Sequence, residues 1–189
     1  MCKRLKSVGI LALACCAGPV QAGNAEQALA SEAQALSAQF VSQLKPALKA
    51  AMKQGGPTHA IEVCASAAPK IAYSLSAQSG WLVKRVSLKS RNASRAVPDP
   101  WEKDVLEQFD TRQAAGEAAS DIRFGEITGD QYRFLQAQGV EAVCLVCHGQ
   151  ELAPEVRATL EKYYPDDWAT GYSLGQVRGA ISLTRNLQP

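Results

Sequence analysis

Apolar residues recur at steps of three and four between Asn24 and Met52, at Leu29, Ala33, Leu36, Phe40, Leu44 and Leu48, a spacing that predicts a long amphipathic helix. Pro46 is expected to kink or divide it. Gln54-Gly55-Gly56-Pro57 closes this helix with turn residues. Thr58 then caps a second helix to about Gln78, whose stripe reads Ile61, Cys64, Ala68, Ile71 and Leu75. The apolar face of the first helix is expected to be core or a docking surface for a partner helix. After Gly80, Trp81 to Leu88 has the composition of a strand, and Lys89 to Asp99 reads as a loop. Asp99-Pro100-Trp101-Glu102 is a helix start, with aspartate as cap, proline at the first position and glutamate three residues after the cap. That helix runs through Val105, Leu106 and Phe109 and fades at Ala114-Ala115-Gly116. Ile122 to Thr128 and Gln131 to Gln136 form two short strands around Gly129-Asp130, a hairpin signal. Pro154 opens a helix that ends near Pro165. Val177, Gly179, Ile181 and Leu183 then alternate with Arg178, Ala180, Ser182 and Thr184, the clearest strand pattern in the chain. Helices and strands in this order favour an α+β domain with an antiparallel sheet over an all-helical bundle.

Composition adds a targeting segment to this picture. Residues 1–22 carry a basic start at Lys3, Arg4 and Lys6, an apolar run from Val8 to Ala17, and small residues around Val20-Gln21-Ala22, the make-up of a cleaved signal peptide. A spanning helix needs about 20 apolar residues, so the run is too short to be one. Neither Cys15 nor Cys16 follows the leucine and small-residue order of a lipid-anchored cysteine, which disfavours a lipoprotein. Residues 23–189 are therefore expected to be one exported, periplasmic domain that does not span the membrane. The three basic residues are the only charges in the leader, so its removal takes the net charge from +2 to about −1. No basic patch is left to suggest nucleic acid.

Of six cysteines, Cys2, Cys15 and Cys16 go with the leader, leaving Cys64, Cys144 and Cys147. The last two belong to Cys144-Leu145-Val146-Cys147-His148, the spacing by which c-type haem is attached. Each thiol adds to one of two neighbouring vinyl groups on a porphyrin edge, and the adjoining imidazole is carried under the iron as an axial ligand. A redox-active dithiol or half of a zinc site uses the same pair of cysteines without requiring the histidine. Cys64 is left over in an oxidising compartment, where it is buried as a small hydrophobe, paired with another molecule or bound to metal.

The mature chain resembles the PAS-like c-type haem domains known as the Tll-type haem domain family. The matching segments are Ala60-Ile61-Glu62-Val63-Cys64 with Ala68-Pro69-Lys70-Ile71-Ala72, then Val86-Ser87-Leu88-Lys89-Ser90-Arg91-Asn92, then Pro100-Trp101-Glu102. The haem motif with Gly149, and Ala169-Thr170-Gly171-Tyr172 leading into Arg178-Gly179-Ala180-Ile181-Ser182, complete the match. Ala93 departs from it, since the family often has proline after the Arg-Asn pair. The resemblance implies a PAS-like antiparallel sheet flanked by helices, with a long N-terminal helix, around one covalent haem c. It also implies that His148 ligates the iron from one side and Cys64 from the other. His59 and Met52 compete for the distal place, but His59 lies about 140° around a helix from Cys64, so both cannot face one iron.

Two protein ligands leave iron no vacant position for substrate, which argues against an enzyme. A low-potential electron carrier or a haem-based redox or gas sensor is expected. Its partners would be a separate redox or signalling protein, a small gas ligand and a second copy of the chain. Arg91 and Arg178 are candidates to pair with haem carboxylates, as guanidinium suits carboxylate geometry. Trp101 is a candidate to pack near the porphyrin, against its reading as a core tryptophan; Lys89 and Arg85 are weaker candidates. A structural Cys3His zinc site from Cys64, Cys144, Cys147 and His148 or His59 is the alternative from a different class.

Overall fold

The structure is a computed structural model that describes residues 20–188. Most of the expected leader, residues 1–19 with Cys2, Cys15 and Cys16, lies outside the described residues. Helix α1 (Val20–Ser79) is two helices run together across a kink. The kink sits at Gly55 and Gly56, whose torsions leave the helical region, with Gly56 at φ 69° where a side chain would be strained. Pro46 lies within the first helix and does not divide it; the chain breaks two turns later, where glycine makes a sharp change of direction cheap. Pro57 then stands at the start of the second segment, where its missing N–H would have no helical partner in any case.

Strand β1 (Leu82–Val86), the single turn α2 (Ala93–Ala96) and helix α3 (Pro100–Ala114) follow. The α2 turn occupies what the sequence presents as a loop. Helix α3 begins on the expected cap: Asp99 accepts from the Glu102 backbone N–H, and the Glu102 carboxylate accepts from the Asp99 N–H in return. Strands β2 (Arg123–Thr128) and β3 (Gln131–Gly139) form the hairpin over Gly129-Asp130, and β4 (Val177–Asn186) completes a four-stranded antiparallel sheet in the order β1-β4-β3-β2. Between β3 and β4 lie a 3-10 turn (Ala142–Cys144), the short helix α4 (Leu145–His148) and helix α5 (Pro154–Tyr163). The fold is α+β, with a long N-terminal helix, as expected.

Both faces of the sheet are covered. Ala33, Leu36, Phe40 and Leu75 of α1 bury Trp81, Val83, Tyr132, Phe134, Ile181 and Leu183 on one face. Val105, Leu106 and Phe109 of α3 bury Val86, Leu135, Ala137, Val177 and Ala180 on the other. The apolar stripe of α1 is thus core and is not free as a docking surface. Among the described residues, no helix is long and apolar enough to cross a membrane.

The alternation along β4 is broken where it matters for the site. Gln138 pairs with Gly179 and Gly139 with Val177, so Arg178 is the extra residue of a β-bulge. Val177 consequently packs with Ala180 against α3 instead of sharing a face with Ile181 and Leu183. A Cβ on Gly179, which has φ 152°, would lie 2.4 Å from the Val86 carbonyl oxygen, so the bulge closes only with glycine there.

Candidate functional site

Cys144 ends the 3-10 turn and Cys147 lies one helical turn further on, in α4, so both thiols project from the same side of the backbone. They are free and half-buried, as is Cys64 on the second segment of α1. Ile61 joins Val156 and Leu160 of α5 in a small apolar cluster on which Cys147, Tyr163 and Tyr164 pack, and this cluster docks the Cys64 segment beside the motif. Val140, Ala169 and Tyr172 form another such cluster under Cys144 and Leu145.

Residues far apart in sequence hold the motif from beneath. The Tyr172 backbone N–H donates to the His148 carbonyl and the Gly171 N–H to the Gly149 carbonyl, each at 2.9 Å. Arg91 donates to the carbonyl of Cys147 and, at 3.3 Å, to that of Ala169, and pairs with Asp167 at 3.1 Å. Arg178 donates to the Ser87 hydroxyl at 2.8 Å and the Lys89 carbonyl at 3.2 Å. Arg91 and Arg178, the candidates for haem carboxylates, are therefore both engaged by protein acceptors.

His148 Nδ1 lies 2.7 Å from the Ala169 carbonyl oxygen and 3.0 Å from Arg178 Nε. A single ring nitrogen cannot donate to the first and accept from the second. The carbonyl can only accept and is the nearer, so we place the proton on Nδ1 and treat the Arg178 contact as unbonded. Burial, then the charges of Arg178 and Arg91, push the pKa of His148 well below 6.5, which keeps the ring neutral. A neutral ring with its proton on Nδ1 leaves the lone pair of Nε2 for a metal.

Burial raises the pKa of the Cys64 thiol, opposed by the charges of Arg85 and then Arg91. Burial likewise raises Cys147, whose neighbouring charges include Arg91 and Cys64. The charge of Arg85 also contributes to the lowering of His148. His59, by contrast, lies within 3.4 Å of Glu62, which accepts a 2.7 Å hydrogen bond from Tyr163. It ties α1 to α5.

Of its two readings, Trp101 takes that of a core tryptophan, packed against the cluster under α3. Its indole N–H donates to Glu126 at 2.5 Å, and its ring packs on Phe124 and beneath the Arg133 guanidinium. Arg133 pairs with Thr184, seven residues along β4 from Val177 at the motif end, or about 20 Å of strand. The indole found a carboxylate and an aromatic partner on the α3 face, far from the thiols. Asp167, Tyr164 and the Ala169 carbonyl are site residues that the sequence did not single out. Ala169 was visible in the matched block, but nothing in the pattern marked Asp167. A pocket of about 400 Å³ opens behind Arg178 and Tyr172, between Lys89 and Asp110, and none of the three cysteines lines it.

A family model described as Tll0287-like matches residues 20–185. The chain belongs to the Tll0287-like family. The crystal structure of the cyanobacterial heme-protein Tll0287 is similar to it at 26% identity, with a TM-score of 0.60 over 91% of this chain and 98% of that one. No curated protein matches. The Tll0287-like match spans the Cys64 segment, the CxxCH turn, the Ala169-Tyr172 brace and the Arg178 bulge, so the whole site lies within the family's domain.

Proposed function

We propose that this Tll0287-like domain binds one haem covalently and transfers electrons at low potential. The observation that carries the reading is the CxxCH turn with His148 Nδ1 held 2.7 Å from the Ala169 carbonyl, an arrangement that leaves Nε2 for iron. The likeness to a heme-protein supports it. Cys144 and Cys147 would form the thioethers, His148 the proximal ligand and Cys64 the distal one. Haem supplies a one-electron couple when bound. Export through the 1–22 leader to the periplasm, and the absence of enzymatic activity, belong to the same proposal.

Zinc in a Cys3His site needs four ligands within about 2.0–2.3 Å of one point. Among the described residues, no three His, Cys, Asp or Glu side chains gather closely enough to hold a metal ion. The thiols and imidazole stand apart, an arrangement that suits a broad planar ligand better than a small cation.

A negatively charged sulfur offsets the net positive charge of a ferric porphyrin, whereas reduction leaves the negative charge uncompensated. The midpoint potential should accordingly lie below that of histidine-methionine cytochromes. Protein made in a host able to attach haem should be coloured, and the colour should stay with the polypeptide through acid-acetone extraction. Cys64→Ala should raise the midpoint and open a position that takes carbon monoxide in the ferrous state. An unchanged low-spin spectrum in that variant would rule Cys64 out as ligand. Ready carbon monoxide binding by the unsubstituted protein would turn the reading from carrier to gas sensor.

A further inference from the structure

The proposed haem site leaves the cleft of about 400 Å³ behind Arg178 without a role, since none of the three cysteines lines it. Three stretches enclose the cleft: the chain leaving β1 at Lys89, the last turns of α3 at Asp110 and Gln113, and the segment from Tyr172 to the β4 bulge at Arg178. A space of this size takes a small metabolite. Its floor is a buried cation. Arg178 is only 8% exposed, and its Nη1 donates to the Ser87 hydroxyl at 2.8 Å and to the Lys89 carbonyl at 3.2 Å, both on residues that line the cleft. Among the described residues, Nη2 has no acceptor and no carboxylate lies within 4.0 Å of the guanidinium. Nη2 is nevertheless not sealed off by protein, and the cleft is the opening that Arg178 lines. A buried guanidinium without a counter-anion is costly, and an anion brought to Nη2 offsets that cost.

A second cation stands over the same floor. Lys89 Nζ lies 5.1 Å from the centroid of the Tyr172 ring and the Arg178 guanidinium carbon 5.4 Å from it, so the two positive charges converge on one wall. Asp110 lines the cleft from α3. Among the described residues, the Lys89 ammonium and the Asp110 carboxylate have no hydrogen-bond partner, and they lie more than 4.0 Å from each other. Opposite charges that share a cleft without meeting leave a gap for a molecule that carries both. A plain anion would gain the two cations but face the carboxylate, and a plain cation would do the reverse. The Gln113 amide, one turn beyond Asp110, adds a neutral donor and acceptor, and Leu88 and Leu106 add apolar surface.

We propose that this cleft binds a free α-amino acid, its carboxylate held by Arg178 Nη2 and Lys89 Nζ and its ammonium by Asp110. The amino acid is bound without covalent change. The site is separate from the haem reading, because its walls contain neither the thiols nor His148.

Isothermal titration calorimetry of the haem-loaded protein against each of the standard amino acids tests this. At least one should bind saturably at millimolar concentration, and for that one Lys89→Gln and Asp110→Asn should each raise the dissociation constant about tenfold or more. Both side chains are exposed and make no hydrogen bond or ion pair, so neither substitution endangers the fold. The same ligand without its amino group should bind at least about tenfold more weakly, because Asp110 then meets no cation. If no amino acid binds, as when a haem carboxylate fills the cleft, the proposal is overturned. Binding that either variant leaves unchanged overturns it too, since the ligand then sits elsewhere. A deaminated ligand that binds equally well would make the cleft a plain anion site, which also overturns it. Failure of the haem reading shows separately, as a colourless protein, on which the same titrations carry the same expectation.

Discussion

Asp99 shows how a single carboxyl couples the start of α3 to the sheet. Burial pushes its pKa up, but the Glu102 backbone N–H and the Arg133 guanidinium, 2.5 Å away, outweigh burial and hold it below 3.8. A carboxyl with a folded pKa below its unfolded one contributes stability above about pH 4, and the contribution is lost as pH falls through the folded value. Asp99→Asn should therefore be less stable than the parent protein at pH 6, and the gap should narrow at pH 3. Urea unfolding at the two pH values measures this, and a gap independent of pH would show that the charge contributes nothing. Glu102, next along, is wholly buried yet well met: Ser182 donates to it at 2.6 Å, Lys84 at 3.0 Å and the Asp99 N–H at 2.9 Å. The sequence announced both residues as a capping pair. That the glutamate would also be the buried hub of a polar network was not visible, because Ser182, Lys84 and Arg133 reach it only when α3 lies on the sheet.

At the scale of elements, the bulge in β4 is the feature with most influence on the site. A strand with strict alternation would place Arg178 on the face of Ala180 and Ser182, against α3. The extra residue turns its guanidinium to Ser87, Lys89 and the edge of His148. Gly179 makes this possible, since a Cβ would meet the Val86 carbonyl at 2.4 Å and Ser87 Cβ at 2.9 Å. Gly179→Ala should cost about 2 kcal/mol, read from urea denaturation. A variant as stable as the parent would show that β1 can give way at Val86 without penalty. The CxxCH turn itself was fully legible in the sequence, since its cysteines and histidine lie within five consecutive residues. The bulge was not, because a glycine among alternating residues also fits an unbroken strand.

Across the whole molecule, α1 does two jobs through one stripe. Its first segment seals the sheet with Leu36 and Phe40, and its second, turned by the kink at Gly55-Gly56, carries Cys64 to the motif. Phe40 is almost completely buried against the sheet, so Phe40→Ala should destabilise the domain by about 3 kcal/mol or more. Because the stripe packs on the same strands that hold Arg85 and Arg178, unfolding of α1 and of the sheet should remain one transition by circular dichroism and by tryptophan fluorescence. Separate transitions would show that α1 is an independent arm.

What the residues settled alone is whatever depends on near neighbours in the chain. The 3.6-residue and two-residue periods, the capping pair at Asp99 and Glu102, the Gly55-Gly56 break and the CxxCH spacing of Cys144, Cys147 and His148 are of this kind, since each arises from bonds and contacts a few residues long. Tertiary structure alone decided which side chains surround the thiols. Arg85, Arg91, Asp167 and Ala169 come from separate elements, Trp101 goes to the far end of the sheet, and the choice follows from strand register and from which face each helix buries. Those are contacts between distant parts of the chain, and no local pattern of residues specifies them.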